Sequence, residues 1–110
     1  MLMTESGESL LKELENAMET LKRHISIIKI LTNEQPVGII KLSRETGLPE
    51  HKVRYSLRVL ERDSVIEPST NGAILSPDFI ESRTAILDRV RKLSEEFTEV
   101  YEDLEKLLSG

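Results

Sequence analysis

The chain of 110 residues is predicted to be mainly α-helical, with two short helices around a tight turn, a small β-hairpin after them, and a long helix at each end. Three observations predict this. Gly47-Leu48-Pro49 separates two short amphipathic stretches, Asn71-Gly72 lies between two short apolar runs, and apolar residues recur at helical spacing over both terminal segments.

The first helix is read from Leu10, Leu14, Ala17, Leu21, His24, Ile28 and Leu31, where steps of four and three alternate and His24 is the exception. A second column, Leu11, Met18 and Ile25, widens the stripe towards more than one neighbour. This helix either runs through or breaks near Lys22-Arg23, and Thr32 to Pro36 ends it with polar residues and a proline. Val37 to Thr46 forms the second helix, stopped by Gly47, which reaches positive φ without a Cβ clash. The third starts at or near Pro49, runs to about Asp63 and buries Val53, Leu57 and Leu60. Two helices about such a turn form a helix-turn-helix.

Val65 to Pro68 and Ala73 to Leu75 are strand candidates, with Asn71-Gly72 expected at the centre of a type I′ turn. Pro68 cannot donate a ladder hydrogen bond, so its strand is short or at an edge. Ser76-Pro77-Asp78 then reads as a helix start. Beyond it Phe79, Ile86, Leu93, Val100 and Leu107 recur every seven residues, interleaved with Val90, Phe97 and Leu104, and Arg83 alone spoils the second series. One continuous helix of that length would span roughly 45 Å, more than three helices and a hairpin can cover. These eight apolar residues are therefore the expected dimer interface, as a coiled coil or a helical bundle.

Several functions are disfavoured by composition. There is no Cys and only His24 and His51, so redox and multi-His metal chemistry are not expected, and no cofactor is implied. Aromatic residues are 4% of the chain, too few for a single-strand stacking platform. Gly-rich phosphate loops, nucleophile elbows and clustered catalytic groups are absent from the sequence, so an enzyme is not expected. No apolar run approaches the ~18 residues of a membrane span and the opening MLMTESGES is acidic, so a cytoplasmic protein without membrane contact is expected.

The net charge of -5 is unevenly distributed. Residues 1–21 hold one Lys against five Glu, residues 22–62 hold nine Lys and Arg against four Glu, and the rest is acidic. A basic centre between acidic arms points to an anionic partner there. Three segments follow: an acidic N-terminal helix over 1–21 for dimerisation or packing, a binding domain over 22–78, and a C-terminal dimerisation helix over 79–110.

The run from Pro36 to Glu61, PVGIIKLSRETGLPEHKVRYSLRVLE, resembles a family of small archaeal predicted transcriptional regulators with a winged helix-turn-helix fold. It is similar more broadly to winged-helix repressors that respond to metals or small ligands. The winged-helix order covers about residues 20 to 76. One departure is Ser64, where such proteins usually carry Gly before the first wing strand.

The resemblance implies that the third helix enters a major groove and the hairpin follows the phosphate backbone. With Val53, Leu57 and Leu60 inward, the opposite face is His51, Tyr55, Arg58 and Arg62, flanked by Lys52 and Arg54. Arg can bind guanine O6 and N7, while flanking cations and Arg44 near the turn hold phosphates. Tyr55 either reads a base or covers the stems of its neighbouring arginines. Thr70 and Asn71 are the wing candidates, although no Lys or Arg lies between Asp63 and Ser82. The expected partners are double-stranded DNA bearing an inverted repeat and a second copy of the chain. The alternative is a winged-helix module that binds an acidic protein within a larger assembly.

Overall fold

The computed structural model describes residues 5–110. It is mainly helical, with a two-stranded antiparallel sheet: α1 Glu5–Asn33, α2 Ile39–Thr46, α3 Glu50–Arg62, β1 Ile66–Ser69, β2 Gly72–Leu75, α4 Pro77–Glu81 and α5 Arg83–Leu108. The chain divides after Ser76 into two compact units. Among the described residues, no helix is long and apolar enough to cross a membrane.

In the first unit the core is aliphatic, as the shortage of aromatics requires. It contains Ile27 and Leu31 of α1, Val37, Leu42 of α2, Val53 and Leu60 of α3, and Ile66, Ala73 and Leu75 of the hairpin. α1 is continuous through Lys22 and Arg23, so the acidic segment and the start of the basic block share one helix. Among its described residues, burial begins at His24. Leu10, Leu14 and Leu21 of the predicted seam are exposed, Ile28 is half-buried, and Ile27, which that seam skips, is fully buried. The physical reason is length: α2 and α3, 8 and 13 residues long, are too short to cover a helix of 29.

Gly47 closes α2 in the left-handed region at φ 77, its amide donating to Ser43 O at 3.0 Å. The turn is braced by Ser43 Oγ donating to Leu48 O at 2.6 Å and Leu48 N donating to Thr46 Oγ1 at 3.2 Å. Pro49 is the cap residue before α3. α3 buries Val53, Ser56 and Leu60, whereas the predicted Leu57 is only half-buried. The inward face is turned by about 30° towards Ser56, which meets His24 of α1.

The hairpin register pairs Ser69 with Gly72, leaving Thr70-Asn71 as the turn. Neither residue has positive φ, so the expected type I′ turn centred on Asn71-Gly72 does not form. Gly72 has another task. At φ 132 it lies against the Val37-Gly38 backbone, where a Cβ would come within 2.5 Å of Val37 C. That approach lets Val37 bridge Ala73, with Val37 N donating to Ala73 O at 3.2 Å and Ala73 N to Val37 O at 2.9 Å. β2 is thus flanked by β1 and Val37, and Pro68 lies on the outer strand, where its missing N–H costs no ladder bond.

Ser64 adopts φ 61, the left-handed conformation that makes Gly common at such a position. Ser76 Oγ donates to Ser64 O at 2.7 Å and Ser76 N to Val65 O at 2.9 Å, so the strained turn is held from the far end of the hairpin.

In the second unit the predicted single helix is broken. Ser82 N donates to both Asp78 O and Phe79 O, ending α4, and Ile86 N donates to Ser82 O at 2.9 Å as α5 begins. Arg83, the exception in the heptad series, donates through Nη1 to Ile80 O at 2.8 Å, satisfying a carbonyl at the end of α4.

Ser64→Gly should raise unfolding free energy by about 1 kcal/mol, because the left-handed conformation is costly for a residue with Cβ. Gly72→Ala should lower it by roughly 2 kcal/mol or more, through collision with the Val37 backbone. Urea denaturation of both variants checks these signs.

Candidate nucleic-acid interface

A buried polar contact sets the rotation of α3. His24 Nδ1 and Ser56 Oγ are 2.9 Å apart, joining α1 to α3, and Ser56 has no exposed surface. With Val53, Ser56 and Leu60 inward, a period of 3.6 residues turns the other side to water. His51, Lys52, Arg54, Tyr55, Arg58 and Arg62 are all exposed, and so are Arg44 in the last turn of α2 and Thr70 and Asn71 at the hairpin turn. All nine predicted contact residues therefore lie on the surface of the first unit.

Their electrostatics differ. Arg54 pairs with Glu50 one turn earlier at 3.3 Å, and Arg62 pairs with Asp63 at 3.1 Å. The Asp63 hydrogen bond, with its charge, raises the Arg62 pKa above its ordinary value. Both guanidiniums would exchange a carboxylate for a phosphate on meeting DNA. Among the described residues, Arg44, Lys52 and Arg58 form no ion pair, so their charge is fully available to an anion. Exposed pairs of this kind are worth little, and Arg54 and Arg62 remain easily recruited.

The hairpin offers less charge than α3. Ser69 Oγ donates to Gly72 O at 2.6 Å, which engages the hydroxyl inside the turn, and the strands carry no cation. Thr70 and Asn71 supply the polar groups at the tip.

A feature that the linear sequence conceals is an apolar cleft of about 350 Å³ between α3 and the hairpin, lined by Ile39, Leu57, Ile66 and Pro68 with Arg54 and Arg58 at its side. Leu57 faces this cleft, which explains why it is only half-buried. The pairing of Val37 with Ala73 and the acceptance of Leu75 N by Gln35 Oε1 at 2.8 Å position its walls. No short motif signals either contact.

The residues expected at a dimer interface fall in the second unit. Phe79 is on α4, half-buried and separated from the others by the break at Ser82. Ile86 and Leu104 are half-buried, while Val90, Leu93, Phe97, Val100 and Leu107 are 45 to 75% exposed. Among the described residues, no group of three potential metal ligands converges. Neither a protein-family model nor a curated protein matches the chain.

Burial holds the His24 imidazole below its ordinary pKa of 6.5, Arg23 acts in the same direction, and Asp63 opposes them. A depressed folded value means that the unfolded state takes up the proton first. The stabilising contribution is therefore present above about pH 6.5 and is lost as pH falls through that value towards the folded pKa. The urea midpoint should fall between pH 7.5 and 5.5 in the parent protein and change less in His24→Gln. Equal pH dependence in the two proteins would contradict this assignment.

Proposed function

We propose that this protein is a homodimeric winged helix-turn-helix regulator that binds double-stranded DNA sequence-specifically. The observation that carries the reading is the uniform outward presentation of His51, Tyr55, Arg58 and Arg62 on α3, flanked by Lys52 and Arg54. A helix of this width fits a major groove, where Arg58 can make two hydrogen bonds to a guanine edge and His51 and Tyr55 can reach neighbouring bases. Arg44 and Lys52 bind phosphate and fix register, and Thr70 and Asn71 meet the backbone beside the groove. The protein acts by binding, not by turnover.

The exposed apolar series on α5 supports the homodimer. A two-fold dimer presents two α3 helices to successive major grooves about 34 Å apart, so the preferred site is an inverted repeat. The acidic terminal segments keep the rest of the chain away from phosphate.

Fluorescence anisotropy with a labelled duplex at several salt concentrations tests this. Affinity should fall steeply with salt, and Arg58→Ala should weaken binding and reduce the slope of log affinity against log salt by about one. Lys106→Ala, in the other unit, should do neither. Full affinity and an unchanged slope in Arg58→Ala would remove α3 as the DNA surface and favour an acidic protein as partner of the basic face.

A further inference from the structure

α5 carries its charge asymmetrically along its length. Before residue 95, Arg83, Arg89, Arg91 and Lys92 stand against Asp88 alone, whereas from residue 95 onward Glu95, Glu96, Glu99, Glu102, Asp103 and Glu105 stand against Lys106. Two such helices side by side in parallel would place acid beside acid and base beside base. Antiparallel pairing places each basic half beside an acidic half. We propose that α5 pairs with a second copy of itself as an antiparallel coiled coil whose two-fold axis lies level with residue 95; this rests on the homodimer reading and assigns its orientation and register.

Side-chain spacing selects that register. Val90, Phe97 and Leu104 form one core series, and Ile86, Leu93, Val100 and Leu107 form the other. With the axis at residue 95, Ile86 faces the partner's Leu104, Val90 faces the partner's Val100, and Leu93 faces the partner's Phe97. The two-fold repeats each contact, so every core residue from Ile86 to Leu104 has an apolar partner. On one flank Arg89 meets the partner's Asp103. On the other, Leu87 meets the partner's Tyr101, which covers two side chains that are 69% and 58% exposed in one copy.

Displacing the axis by half a heptad in either direction is worse. Towards the C-terminus it sets Glu96 against the partner's Asp103. Towards the N-terminus it leaves Leu104 and Leu107 facing residues before α5. Parallel pairing has no compensating flank contacts, since Arg89, Glu96 and Asp103 would adjoin the partner's Ser94, Tyr101 and Leu108.

The ion pairs within α5 agree with this assignment. Arg91 pairs with Asp88 and Glu95, and Lys92 pairs with Asp88 at 3.3 Å, all on the side away from the core series. Arg89, Glu96 and Asp103, beside the core series, have no ion pair among the described residues. Their charges remain for a partner, with Glu96 facing its own copy and Leu107 facing the partner's Arg83 as the unfavourable contacts. In this register the first residues of the two α5 helices lie about 36 Å apart along the axis. A parallel pair would bring those residues within one interhelical distance, about 10 Å.

The chain has no native Cys, so single cysteines report the orientation directly. In full-length protein under mild oxidation, Ser94→Cys should give a disulfide-linked dimer, because this position faces itself across the two-fold. Ile86→Cys should remain unlinked, because it faces the partner's Leu104. Arg89→Asp should weaken dimerisation about tenfold by sedimentation, and adding Asp103→Arg should restore it. A parent protein that is monomeric at 100 μM would overturn both the homodimer and this pairing. A dimer in which Ile86→Cys links and Ser94→Cys does not would leave the homodimer standing and overturn the antiparallel assignment.

Discussion

α3 can bury only one side, and its packing against α1 decides which one. Val53 and Leu60 are buried on the same side of α3 as Ser56, and the buried His24–Ser56 hydrogen bond ties that side to α1. A buried hydroxyl or imidazole without a partner is costly, so a slip of α3 by one residue would leave two polar groups unsatisfied. Everything outward follows from that restriction: with Ser56 held inside, Arg58, Arg62, His51 and Tyr55 have only solvent or a ligand to face.

The parts of this arrangement that depend on local chain chemistry were legible in the sequence. Gly47 predicted the end of α2, the steps between Val53 and Leu60 predicted the cationic face, and a hairpin was expected near Asn71-Gly72. What could not be read were contacts between residues distant in sequence. Gly72 reads naturally as a turn residue, but its lack of Cβ serves the approach of Val37, 35 positions earlier. Ser56 is unremarkable as a letter and becomes a core residue only because His24 lies opposite. The cleft beside Leu57 likewise needs the hairpin folded back against α3. The break at Ser82 was hidden because Phe79 stays in phase with the heptads beyond it.

Charge is divided in the same way as packing. The cations of α3 lie on an exposed face with some of them unpaired, while those of α5 belong to a helix whose two halves have opposite sign. The first pattern suits a continuous polyanion, and the second suits a copy of the same helix running in the opposite direction. One chain with a net charge of -5 thus carries a basic helix face and a helix of opposite-signed halves.

Mapping backbone amide shifts by NMR while titrating the protein with a 20-base-pair duplex is the most direct test of the proposal that α3 binds DNA. The account predicts that shifts concentrate on residues 51–62, with smaller changes at Arg44, Thr70 and Asn71, and that α5 beyond Leu93 is unaffected. Changes confined to α5, with α3 unmoved at saturating DNA, would contradict it.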